Sequence, residues 1–247
     1  MTDLVPRDAS RAAEPLLDVR GLRVSRARTG GADTLVSAVS LALRAGETIG
    51  IVGESGSGKS MTAKAVTGLL PPGITASGEV RYGGRNLLTL KEREWRAVRG
   101  REIGLILQDP FTMLNPVLRC GTIISESLPR DRAPGRGQRR AEAVRRLAEV
   151  GITDPAVADR YPFQLSGGMR QRVAIAAALA RDPRVLIADE PSTALDASTQ
   201  QDILALIKRV QEARGMGLVL ITHDEHIAGG FPRRLHMRDG EIVEDER

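Results

Sequence analysis

A chain of 247 residues, 41% hydrophobic and 27% charged, holds enough apolar material for one substantial soluble domain. Its formal net charge of +5 rests on arginines interspersed with Asp and Glu, and aromatics at 2% provide no base-stacking platform, so a nucleic-acid partner is not expected. The single cysteine, Cys120, builds neither an intrachain disulfide nor a metal site and fits a reducing cytosol, and no apolar run reaches the roughly 18–20 residues that a membrane-spanning helix needs.

Residues 1–15, MTDLVPRDASRAAEP, lack the apolar centre of a signal peptide and read as a loose tail. Leu16–Val24 and Leu35–Leu43 alternate apolar and polar residues and read as antiparallel strands. Glu47–Val52 is a buried strand, followed by Gly53–Ser60 (GESGSGKS) and a helix over Met61–Thr67. Gly78–Tyr82 is a strand with Gly83-Gly84 as its turn, and Lys91–Arg99 is a charged helix carrying Trp95. Ile103–Leu107 is a buried strand ending at Gln108. Residues 109–165 change character and read as a helical insertion into an α/β core. Asp109–Pro116 is a loop, Thr122–Leu128 a helix, Pro129–Gly137 a connection and Gln138–Val150 an amphipathic helix. The core resumes with a helix over Met169–Arg181, a flat apolar strand over Val185–Ala188 and a helix over Asp196–Ala213. A strand over Gly217–Ile221 and a short helix over His223–Gly229 follow. A hairpin of Arg234–Met237 and Glu241–Val243 closes the chain around Asp239-Gly240.

The strand–GxxxxGKS–helix arrangement is a phosphate cradle. Glycines 53, 56 and 58 let the backbone bend and bring several N–H groups to a phosphate chain, and the new helix adds the positive end of its dipole. Lys59 adds a full charge in a chain whose only lysines are 59, 64, 91 and 208, and the Ser60 hydroxyl is placed for Mg²⁺. The Lys59 side chain is expected to face ligand rather than core, so its removal should leave unfolding without nucleotide little changed. Val185–Glu190 ends a buried strand in two carboxylates, where open α/β sheets bind ligands. Asp189 suits Mg²⁺, and Glu190 suits a base acting on water. Gln108 and His223 follow other buried strands and should reach the same edge. Ser166, with Gly167 and Gly168, opens a second helix N-terminus. One nucleotide does not need two cradles. A head-to-tail dimer resolves this, each SGG turn closing the other chain's phosphate loop.

Taken in order, GESGSGKS, Gln108, LSGGM, VLIADE, STALD and His223 resemble the ATP-binding subunit of an ABC transporter, over about residues 16–245. QDPFTMLNP and YPFQLSGGMRQRVAIA are similar to the peptide/nickel importer branch. The resemblance implies an α/β P-loop NTPase core of ABC type, with an N-terminal antiparallel β subdomain and an inserted helical subdomain at about 109–165. It implies ATP and Mg²⁺ as ligands. Gly53, Glu54, Ser55, Gly56, Ser57, Gly58, Lys59, Ser60 and Met61 would bind nucleotide, and Ser60, Gln108 and Asp189 would hold the metal. Glu190 is then the catalytic base and His223 the γ-phosphate contact. Ser166, Gly167 and Gly168 act on the partner's nucleotide, and Asp196 lies where subunits meet. Many relatives stack adenine on an aromatic residue. Here Arg26 stands about there. The chain ends at Arg247, and many peptide-importer relatives continue further, so shorter nickel-type relatives are the closer comparison on length. The implied function is ATP hydrolysis driving import of peptides, nickel or a metal chelate. The chain would work at the cytoplasmic face of the plasma membrane with permease subunits, a second ATPase subunit and, indirectly, an extracytoplasmic binding protein. An exporter ATPase and a non-transport ABC ATPase acting on nucleic acid or ribosomes stand as alternatives.

Overall fold

The computed structural model describes residues 14–29, 31–109, 113–128, 135–192 and 195–247. Nearly all of the expected tail, residues 129–134 of the expected connection, 110–112 of the expected loop and 193–194 of STALD lie outside them.

The first strands, β1 (Leu17–Arg28) and β2 (Gly31–Leu43), are longer than their alternating cores and pair antiparallel from Leu17↔Leu43 to Arg28↔Gly31. β3 (Thr48–Val52) leads through the glycine-rich loop into α1 (Lys59–Val66). β4 (Ile74–Tyr82) and β5 (Arg85–Asn86) complete a four-stranded sheet of order β2-β1-β4-β5. Next come α2 (Glu92–Val98), β6 (Ile103–Ile106), α3 (Cys120–Ser127), α4 (Arg136–Glu149) and α5 (Gly167–Ala178). The chain finishes with β7 (Val185–Asp189), α6 (Ala197–Arg214), β8 (Gly217–Thr222), α7 (Glu225–Ala228), β9 (Arg234–Arg238) and β10 (Glu241–Glu246). The second sheet has six strands in the order β10-β9-β3-β8-β7-β6 and is parallel except for the β9–β10 hairpin.

The flat apolar runs of β7 and β8 have a simple cause. Successive strand residues point to opposite faces, and both faces of this sheet are covered. Val185, Ile187, Val219 and Ile221 join the core under β1 and β2, together with Leu17, Val24 and Leu43. Leu186, Ala188, Leu218 and Leu220 join a second core with Ile124, Leu147 and Ile175 of the helices. Each such burial contributes about 1.5–3 kcal/mol.

Two expected boundaries shift. α5 starts at Gly167 rather than Met169, because the Ser166 hydroxyl accepts the Met169 N–H at 3.3 Å and caps the helix two residues earlier. It ends at Ala178, short of Arg181. Arg136 and Gly137 belong to α4 rather than to the expected connection. There the Gln138 side chain reaches back to the Gly135 N–H at 3.3 Å.

One ionic cluster ties α4 to the core. Arg146 is 3% exposed and donates to Asp182 at 2.6 and 2.9 Å and to Glu142 at 3.1 Å. Arg214, at the end of α6, bridges Glu149 at 2.5 Å and Asp182 at 3.3 Å. Arg146→Ala is expected to destabilise by on the order of 2–3 kcal/mol in urea unfolding. This is below the fully buried limit because Asp182 keeps water access. Arg146→Lys should recover only part of the loss, since an ammonium cannot make the paired contact.

Candidate active site

The register of the second sheet brings the chemistry to one edge. β3 pairs with β8 at Val52↔Thr222, β8 with β7 at Ile221↔Asp189, and β7 with β6 at Ala188↔Ile106. The residues that leave these strand ends are Gly53, His223, Glu190 and, two positions past β6, Gln108. These four strands therefore bring the glycine-rich loop and three polar side chains to their common carboxyl edge, where an open α/β sheet binds its ligand.

The phosphate loop is shaped by what packs beside it. A Cβ on Gly53 would lie 2.1 Å from the Met237 carbonyl oxygen, so only glycine fits. Gly56 and Gly58 hold φ of 88° and 99°, and Gly58 stands at the N-cap of α1 with no side-chain cap. The first-turn amides of α1 are thus left for an anion. The turn after β9 supports the loop from behind. Gly240 N–H donates to Ser57 O at 3.0 Å, and Ser37 N–H donates to Gly240 O at 2.8 Å. The hairpin itself is legible in Asp239-Gly240, but its contact with the phosphate loop is not, because the two segments lie some 180 residues apart.

Lys59 departs from expectation. It is 5% exposed, and its Nζ donates to the carbonyls of Gly53 and Glu54, both at 2.7 Å. It works inside the loop rather than projecting from it. Burial pushes its ammonium pKa down, while the Glu190 and Asp189 carboxylates pull the other way.

Ser60 Oγ donates to Asp189 Oδ1 at 3.0 Å. Asp189 is 3% exposed, and burial raises its pKa, with neighbouring Glu190 adding to the rise and the Ser60 bond opposing it. Beside it, Glu190 sits in left-handed backbone at φ 46°. Such a conformation costs roughly 1–3 kcal/mol and concentrates at functional sites. The strained turn aims the Glu190 carboxylate between two partners: Gln108 Nε2 donates to Oε2 at 3.1 Å, and His223 Nδ1 lies 3.2 Å from Oε1. The sequence suggests a common edge for these residues, and the structure adds that Glu190 is their hub.

A cleft of about 420 Å³ opens beside the phosphate loop, lined by Val52–Ser57, His223, Glu225, Val243 and the β9 end from His236 to Asp239. The Ser166 turn is not among these residues. It packs on the start of α6, where a Cβ on Gly168 would meet Thr199 at 2.7 Å. Asp196 caps α6, accepting from Thr199 N–H at 3.0 Å, and those bonds hold its carboxyl well below the usual range. Arg26 is exposed on β1, opposite Asp33 and Ile74, and does not line the cleft.

A glycine-clamped loop at a helix N-terminus, with a half-buried Ser60, buried Lys59 and Asp189 and a strand-end Glu190, defines a nucleotide-hydrolysing cassette. The family model described as ABC transporter matches residues 36–193, and the chain belongs to that family as a cassette that binds and hydrolyses ATP. Among its relatives, the chain is 45% identical to the dipeptide transport ATP-binding protein DppD of Lactococcus lactis subsp. cremoris, over 94% of this chain and 68% of that protein. It is 43% identical to the oligopeptide transport ATP-binding protein OppD of Bacillus subtilis, over 93% and 65%. The chain thus spans about two thirds of the length of these relatives. It superposes with a TM-score of 0.83 on the ATP-binding cassette MJ0796, solved as a dimer in a post-hydrolysis state with ADP and Pi. That match has 31% identity and covers 94% of this chain and 98% of the other.

Two substitutions separate the roles of the buried charges. Native Asp189 holds its proton to higher pH than the unfolded chain does. Its contribution to stability is therefore fully present below the ordinary value of 3.8 and is lost as pH rises through the raised native value. Asp189→Asn should raise the unfolding midpoint of the nucleotide-free protein at neutral pH while reducing ATPase activity by 10² or more. Calorimetry and phosphate release check the two effects. Lys59→Ala should abolish ATP binding and also lower stability by about 1–3 kcal/mol, since two loop carbonyls lose their donor; thermal unfolding without nucleotide measures this.

Proposed function

We propose that this chain powers an ABC importer for peptides, as the names of its relatives suggest. In this reading it works at the cytoplasmic face of the plasma membrane against permease subunits, which an extracytoplasmic binding protein supplies with substrate. Among the described residues no helix is long and apolar enough to cross a membrane. The importer part of the reading rests on those relatives, and its ATPase part on the Glu190 hub beside the half-buried Ser60 and buried Asp189.

The donor set suits Mg²⁺: a hydroxyl and a buried carboxylate with a raised pKa lie in contact, and Gln108, whose Nε2 is used on Glu190, still has its amide oxygen. Ser60, Asp189 and Gln108 would hold the ion, which when bound supplies positive charge against the phosphate oxygens. The loop amides and Lys59 bind and orient the phosphates. Glu190 takes the proton of the attacking water as the β–γ bridge breaks. His223 positions Glu190 and faces the γ-phosphate, and adenine is assigned to exposed Arg26 on β1, outside the cleft. Ser166, Gly167 and Gly168 form a second helix N-terminal turn packed on the start of α6, which Asp196 caps, and one nucleotide needs only one such cradle, so we assign all four to the nucleotide of a second, identical or homologous, subunit arranged head to tail.

Glu190→Gln keeps size and most hydrogen bonds but removes the basic carboxylate. Hydrolysis should fall by about 10²–10⁴ while ATP binding survives. The variant should then accumulate as an ATP-bound dimer on size-exclusion chromatography, alone or with its partner subunit, and added Ser166→Arg should abolish that dimer. A wild-type rate in Glu190→Gln removes it as the base. A monomer with Mg-ATP and every candidate partner removes the sandwich.

A further inference from the structure

The β9–β10 hairpin carries a second cluster to which the ATPase reading gives no role, although its His236 also lines the cleft. His236, Glu244 and Glu246 each offer one ligand atom, and the three atoms lie within 4.8 Å of one another. The pairing explains the cluster. His236 stands opposite Glu244, and Glu246 stands opposite Arg234, two residues along the same face of β9. Val243 is the extra residue where the register shifts between Ile242 and Glu244, which brings Glu244 into line with His236.

The imidazole is the telling member. Its Nε2 is shielded from solvent and has no hydrogen-bond partner among the described residues. The Glu246 carboxylate stops 3.6 Å away, beyond hydrogen-bond reach. A buried ring nitrogen without a partner is costly unless something fills the gap. Ligand atoms around a tetrahedral ion with bonds near 2.0–2.1 Å stand roughly 3.4 Å apart. The His236–Glu246 spacing of 3.6 Å is close to that, and Glu244 lies within 4.8 Å of both. Arg234 already holds Glu246 at 2.5 Å through Oε2, the same oxygen that lies nearest His236, so an ion would share that oxygen or take the other one. Glu244 is exposed and gives an ion its way in.

We propose that His236, Glu244 and Glu246 form a binding site for a divalent transition-metal ion of the zinc class. One imidazole with two carboxylates suits such an ion better than Mg²⁺, which takes oxygen ligands alone. His236 pairs with Val52, the last residue before the phosphate loop, and the turn beyond it bonds to Ser57. An ion here links β9 to β10 and stiffens the hairpin that supports that loop. The site needs no nucleotide, so it stands or falls separately from the proposed function.

The test is titration of Zn²⁺ into nucleotide-free protein, followed by calorimetry and by thermal unfolding. Wild type should bind one ion per chain at this site and unfold about 2 °C or more higher with Zn²⁺ in excess. Mg²⁺ at the same concentration should produce no such shift. His236→Ala and Glu244→Gln should each weaken binding at least about 10-fold, whereas His223→Ala should leave it unchanged. Glu244→Gln alters an exposed side chain and decides the matter should His236→Ala fail to fold. No Zn²⁺ binding by wild type, undiminished binding in Glu244→Gln, an equal response to Mg²⁺, or loss of binding in His223→Ala would overturn the assignment.

Discussion

Lys59 and Asp189 are buried charges at the mouth of a sheet that is otherwise apolar on both faces. Charges in that position are tolerated only if each finds partners close by. Lys59 finds the carbonyls of its own loop, and Asp189 finds the Ser60 hydroxyl. Neither solution relieves the full cost, which is why burial shifts both groups toward their neutral forms. The loop geometry, the strand register and the placement of Glu190 all serve to bring these charges to one edge. A triphosphate with its cation supplies the charges that this edge is missing.

Much of this was legible in the sequence because it is local in the chain. GESGSGKS specifies its own turn, and a strand ending in Asp189-Glu190 points its carboxylates outward whatever surrounds it. The alternation of Leu35–Leu43 and the flat run Val185–Ala188 follow from how many faces of each strand are covered. What was not legible depends on pairs of residues far apart. Lys59 was expected to face ligand, yet its partners are carbonyls of the preceding bend, a choice fixed by backbone curvature rather than residue type. The Met237 carbonyl that forbids a side chain at Gly53, and the Arg146 cluster that joins α4 to Asp182 and Arg214, leave no pattern in either segment alone.

Two helix starts, at Ser166 and Asp196, stand side by side and are packed through glycines. Their caps are made within the chain, and they lie apart from the cleft that the phosphate loop lines. The molecule therefore offers two separate surfaces: one edge with carboxylates and amides around the loop, and one built from paired helix N-termini. The Arg146 and Arg214 bridges keep α4 joined to the framework that carries the second surface, so the relative placement of the two is a property of the whole core rather than of a single hinge.

The position of β3 has a consequence for how the protein is made. Its two neighbours are β8 and β9, so no hydrogen-bonding partner for the strand exists until Gly217 and beyond have been synthesised. At roughly 5–20 residues per second, the stretch from Val52 to Gly217 takes on the order of 8–33 s to emerge. β1, β2 and β4 can pair early, since they lie within the first 82 residues. The strand Thr48–Val52 meanwhile waits as an unpaired apolar edge, the kind of segment that chaperones hold during translation.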